Sequence, residues 1–213
     1  YFVFSLPYIY LMVIWGSVIP SDPTSARQLG KSLYLDHFGY TLTMIAFYLL
    51  PILFFKEKKI ILLLKNLFLD KKNYLLIVLF FIYLIYLGLF FKPNSDLDML
   101  LGKGFVHKIS FLLFEDFLYR SIFIYLSFLA SWIVIMIYCN ENYREYFFMG
   151  YFLLLSIVIW PIFQEYFDPL ILILVFTFFN IKIYPNYKNA TALFVYLLIF
   201  LFGTNVYYSG LLN

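Results

Sequence analysis

Gly102-Lys103-Gly104, followed closely by His107 and Lys108, gathers permissive backbone, two fixed cations and a titratable ring in one short stretch. Such a cluster can hold a phosphate or diphosphate, because ammonium and ring N–H groups pair with phosphate oxygens. It lacks the GxxxxGK[ST] spacing of a nucleotide loop, so it implies no nucleotide. Glu115, Asp116 and Arg120 follow, and either acid can pair with the arginine on a helix surface. A second dense stretch, Trp160 to Pro169, packs prolines, aromatics and the acids Glu165 and Asp168 into a very short hairpin. Trp and Tyr favour a membrane interface, which explains part of that composition.

Two Asp-Pro pairs, Asp22-Pro23 and Asp168-Pro169, open apolar or amphipathic segments. Asp as N-cap and Pro at the first helical position account for both structurally; either carboxylate is also available to a substrate. Ser95-Asp96-Leu97-Asp98 reads as a capping box ahead of Met99. Metal and triad chemistry are poorly supported. The histidines, His37 and His107, have no HxxxH or HExxH spacing, so no zinc site is expected. No GxSxG elbow occurs. The single cysteine, Cys139, excludes an internal disulfide and reads as apolar filler at a helix end.

The elements that must position these groups are apolar spans. Of the residues, 64% are hydrophobic and 13% charged, with mean hydropathy +0.89; soluble domains average about 45–50% and about 25%. The 15 basic and 12 acidic residues fall between or at the ends of spans at about 1–19, 38–55, 73–91, 121–139, 147–163, 169–181 and 190–208. A hydrocarbon core about 30 Å thick takes about 20 apolar residues per helix; the sixth span is short and would need Phe167 and Ile183 to extend it. The expected fold is all-α: one polytopic membrane domain over residues 1–213 with about seven transmembrane helices. The chain opens on Tyr1 inside an apolar span without a charged n-region, which reads as part of a longer chain and not as a signal peptide. A net charge of +3, with no basic run interleaved with aromatics, excludes a nucleic-acid partner.

Orientation follows from the positive-inside rule. Lys56, Lys58, Lys59, Lys65, Lys71 and Lys72 place the 56–72 loop in the cytoplasm, and its apolar runs between lysines read as an interfacial helix meeting anionic headgroups. Alternation then puts residues 20–37 and the 92–120 loop, with both histidines, on the extracytoplasmic face. The lysine-rich, arginine-poor composition suggests an AT-rich, bacterial genome, hence the plasma (inner) membrane.

Ser21-Asp22-Pro23 leading to Arg27, the charged 92–120 loop, and Gln164-Glu165-Tyr166-Phe167-Asp168-Pro169 follow one another in an order that resembles the C-terminal half of GT-C membrane glycosyltransferases. The nearest family by this resemblance is the dolichyl-phosphate-glucose α-1,2-glucosyltransferases. The sequence departs from it where Glu165 stands in place of a basic residue before Tyr-Phe, and where the 92–120 loop lacks the Asp-Asn-Arg-His-Tyr stretch.

The resemblance implies transfer of a sugar from a polyprenyl-phosphate carrier on the extracytoplasmic face, without a cofactor. It implies phosphate contacts from Lys103, His107, Lys108 and Arg120, sugar or acceptor contact from Arg27, and a catalytic carboxylate among Asp22, Glu165 and Asp168. The family's usual catalytic acid lies in a first outer loop, expected upstream of Tyr1. The alternatives are a transporter, which would place ionisable groups within the bilayer, and a non-catalytic membrane subunit. The spans read as free of such groups.

Overall fold

The computed structural model describes residues 10, 13–14, 33–53, 60–90, 102–139, 143–159, 162–164, 173 and 186–208. Among these residues the protein is all-helical and holds no strand. The helices are α1 (Asp36–Ile52), α2 (Ile60–Leu69), α3 (Lys71–Phe90), α4 (Gly104–Leu113), α5 (Phe117–Cys139), α6 (Tyr143–Ser156) and α7 (Tyr187–Tyr208).

Among the described residues three helices are long and apolar enough to cross a membrane: Asn73–Phe90 within α3, Phe117–Cys139 as α5, and Tyr187–Val206 within α7. They coincide with three of the spans expected from hydropathy. The others do not emerge as spanning helices among the described residues. The 38–55 span becomes α1, 17 residues long, and the 147–163 span becomes the 14-residue α6, which ends at Ser156. The spans at 1–19 and 169–181 lie almost wholly outside the described residues.

Burial explains why α1 is shorter. Apolar residues occupy its whole circumference, and it is buried from Asp36 to Phe47 on every face, as a core helix must be. Helices α4, α5, α6 and α7 pack around it. Tyr138 on α5 donates its hydroxyl to the Leu49 carbonyl at 2.7 Å, and Tyr196 on α7 donates to that of Phe47 at 2.9 Å. In a dry interior such side-chain-to-backbone bonds are the main source of directional specificity between apolar helices.

The start of α1 fixes the depth of everything near it. Leu35 offers no side-chain cap, so the first-turn N–H groups need outside partners. Tyr83 on α3 enters at the first intrahelical pair: its Oη accepts the Gly39 N–H at 3.0 Å and donates to the Leu35 carbonyl, four positions earlier, at 2.8 Å. On the opposite side Gly39 meets the Phe128 ring so closely that a Cβ would lie 2.2 Å from it. Phe128 is the midpoint of α5, about 16 Å from either end at 1.5 Å per residue, and Tyr83 is near the middle of its span. Helix α1 therefore begins halfway along its two long neighbours. The last turn of α6 ends at the same level, where the Tyr34 N–H donates to the Ile157 carbonyl at 2.9 Å.

Candidate functional site

Three chain segments converge on the start of α1: the turn into α4, the end of α6, and the residues just after it. The turn is Gly102-Lys103-Gly104, whose φ angles are 110°, 60° and 71°. Left-handed backbone is ordinary for glycine and uncommon for lysine. The turn is pinned from the far side. The Lys103 N–H donates to the Ile162 carbonyl at 2.6 Å, and the Phe105 N–H donates to Gln164 Oε1 at 3.2 Å. A Cβ on Gly102 would lie 2.3 Å from the Ile162 oxygen, and one on Gly104 would meet the Met44 side chain at 2.6 Å. Glycine is favoured by φ at both positions, and at Gly102 also by the close approach of the Ile162 backbone.

Held this way, Lys103 extends its ammonium to Asp36, with Nζ 3.2 Å from Oδ2 and the two side chains only 6% and 8% exposed. The same ammonium lies 5.6 Å from the Tyr40 ring centroid. Tyr40 Oη is 3.1 Å from His107 Nδ1, and the two rings meet edge to face. The other oxygen of Asp36, Oδ1, is buried and has no hydrogen-bond partner. The carboxylate sits in the first turn of α1, where the helix dipole favours a negative charge.

His37 completes the cluster from the α6 side. Its Nδ1 donates to the Ile159 carbonyl at 2.8 Å, and its ring stacks on Tyr34 at 4.8 Å between centroids. Burial holds its pKa below the usual imidazole value; Asp36 opposes that shift, and Lys103 adds to it. A ring held neutral between two charges of opposite sign can accept or pass a proton.

Sequence reasoning nominated four cations for phosphate contact, and they occupy two places. Lys103 and His107 meet around Tyr40, and Lys108 follows on α4, half-buried. Arg120 serves elsewhere. Its guanidinium lies 3.7 Å from the Phe111 ring centroid and donates to the Phe114 carbonyl at 3.2 and 3.4 Å and to that of Glu115 at 3.2 Å, so it closes the C-terminal end of α4. Asp116 Oδ1 accepts the Leu118 N–H at 2.8 Å and caps α5. Asp22, Arg27, Glu165 and Asp168 lie outside the described residues.

The sequence pattern did not reveal two things. Asp36 reads as a charge at the mouth of a span, and nothing local marks it as the partner of a lysine 67 positions later. Tyr83 reads as one aromatic among many. The 92–120 segment holds a helix within its described part, with one face buried at Gly104, Val106, His107 and Ser110 and the other exposed at Ile109, Leu112 and Leu113. No group of three or more His, Cys, Asp or Glu able to hold a metal occurs among the described residues. No protein-family model, curated protein or solved structure matches this chain.

Proposed function

We propose that this chain is a multi-pass membrane protein with about seven spans, and that it is a GT-C glycosyltransferase taking a sugar from a polyprenyl-phosphate donor on the extracytoplasmic face. One observation carries the reading. Two of the three segments behind the resemblance, the Gly102–His107 stretch and the start of the Gln164 hairpin, are bonded to each other through Lys103 N–H to Ile162 and Phe105 N–H to Gln164. Segments 59 positions apart are thus held side by side, which supports a substrate shared between them. Lys103 reaches toward the Asp36 end of α1, away from the end that leads to the lysines of 56–72.

In this reading Lys103, His107 and Lys108 neutralise the departing lipid phosphate, and Arg120 acts through the α4 end that it closes. A carboxylate from Asp22, Glu165 or Asp168 takes the proton of the acceptor hydroxyl, with Arg27 on sugar or acceptor. The reaction needs no cofactor. The test is sugar transfer by the full-length protein in bacterial plasma-membrane lipid, offered a panel of polyprenyl-phosphate sugars. Lys108→Ala and Glu165→Gln should each cut transfer at least about tenfold, the size of one lost charge-assisted contact, at unchanged membrane level. No transfer by the parent protein, or unchanged transfer in both variants, removes the reading.

A second reading, a transporter, is favoured by the depth of the Asp36–Lys103 pair. Ionisable groups at the level of mid-helix are costly and typically mark ion or substrate pathways. Solute uptake into proteoliposomes containing only this protein would put transport first.

A further inference from the structure

We propose that the buried Asp36–Lys103 pair is the seat of a small zwitterion, a molecule with one primary ammonium and one carboxylate or phosphate, which parts the two side chains and pairs with both. The inference rests on the transporter reading and names the class of solute for it.

The run of the helices sets the depth of the seat. Helices α1 and α5 run the same way, since Gly39 lies at Phe128 and Leu49 at Tyr138. Helix α3 runs against them, with Tyr83 at Gly39 and Leu87 at Tyr125. The chain therefore leaves α3 and enters α5 on one side. Helix α4 falls between the two in sequence, yet its first turn lies past the midpoint of α5. The Phe105 ring is 4.7 Å from that of Phe47, which is about 12 Å beyond Gly39 at 1.5 Å per residue. In a membrane α4 is then a re-entrant half-span. Its N-terminus, the N-terminus of α1 and the C-terminus of α6 meet inside the protein. Broken helix ends at such depth are used to hold solutes: N-termini favour an anionic group, carbonyl ends a cationic one.

Lys103 itself shows that the seat takes a primary ammonium. Its Nζ lies 3.2 Å from Asp36 Oδ2 and 5.6 Å from the Tyr40 ring centroid. A ligand ammonium in that place meets a carboxylate and an aromatic face. Asp36 offers a second acceptor, because Oδ1 is buried and has no hydrogen-bond partner among the described residues. Bare lone pairs in a dry interior call for a donor. The lysine ammonium, on its flexible four-carbon stem, turns to the anionic group of the ligand beside the N-terminus of α4. Charge decides the class. The pair is neutral, so a lone cation or a lone anion would leave an uncompensated buried charge, which is costly. A zwitterion brings both signs, exchanges one ion pair for two and keeps the sum at zero, with no proton moved.

The experiment follows thermal unfolding of the purified full-length protein in neutral detergent. Glycine, alanine, leucine, phenylalanine and short-chain phosphatidylethanolamine are added in turn, with ethylamine and propionate as separate halves of the ligand. At least one zwitterion should raise the midpoint by about 5 °C at about a hundredfold excess over its half-saturating concentration, and neither half should. A shift confined to the amino acids assigns the seat to a free solute; one confined to phosphatidylethanolamine assigns it to a lipid headgroup. Asp36→Asn/Lys103→Met should abolish the shift. No shift from any zwitterion, an equal shift from ethylamine or propionate, or a shift that survives in the folded double variant would overturn the assignment. The two halves are tested on the parent protein, so a double variant that fails to fold leaves the test intact. Transport is read separately by uptake into proteoliposomes: uptake of other solutes without zwitterion binding sinks this inference alone.

Discussion

Lys103 and Arg120 sit at opposite ends of one ten-residue helix and are used in opposite ways. Arg120 closes the C-terminal end of α4, spreading its charge over two carbonyls and the Phe111 ring. That arrangement needs no acidic partner, and neighbouring Asp116 is free to cap α5. Lys103 precedes the N-terminal end of α4, where the helix dipole is positive and a cation is unwelcome; it is tolerated because Asp36 lies 3.2 Å away. A charge where the local field suits it is architecture. A charge held against the local field, in strained backbone and away from water, calls for another explanation.

The sharpest way to break this contrast is to remove one member of the buried pair. Lys103→Ala should cost about 3–5 kcal/mol by stranding Asp36, read as loss of folded protein in detergent unfolding curves. Asp36→Asn/Lys103→Met should recover most of it; a double variant as unstable as the single one would show that the charges themselves hold the fold. Next in size, Gly102→Ala should cost about 2 kcal/mol or more, because the φ of 110° and the Ile162 carbonyl both oppose a methyl group. Tyr83→Phe should cost about 1 kcal/mol, through the lost tie between α3 and α1, because the Gly39 N–H and the Leu35 carbonyl can then bond each other.

The histidine beside the pair adds a pH signature. The folded protein holds His37 neutral to lower pH than the unfolded chain does. Its contribution is therefore whole above about pH 6.5 and declines as pH falls below that value, by at most about 1.4 kcal/mol per pH unit. His37→Gln should flatten an unfolding series between pH 8 and pH 5, and an unchanged slope would assign the effect to another group. Smallest, Arg120→Ala should cost about 1 kcal/mol through lost carbonyl bonds and ring contact, read in the same unfolding curves.

Hydropathy alone identified α3, α5 and α7, because those helices face outward along much of their length and must be apolar from end to end. It could not separate them from α1, equally apolar for a different reason: α1 is wrapped by protein, and its length is set by what its ends bond to. Lys103 and His107 were legible as chemistry because two glycines and two cations so close together are unusual. Asp36 was not, since a carboxylate just before an apolar run is where a cap or a surface charge would sit. The pairing depends on the turn at 102–104 folding back beside α1, which neither segment encodes by itself.

The borrowed cap on α1 also bears on how the chain is built. Leu35 and Gly39 emerge from the ribosome well before Tyr83, and Asp36 before Lys103. Until those later residues arrive, the front of α1 lacks its tie to Tyr83 and carries the Asp36 carboxylate without Lys103, a charge that lipid cannot satisfy. Helix α1 should then reach its final depth only after α3 and α4 are in place. A chain halted between residues 60 and 80 should therefore leave α1 open to protease, while one halted beyond 110 should protect it.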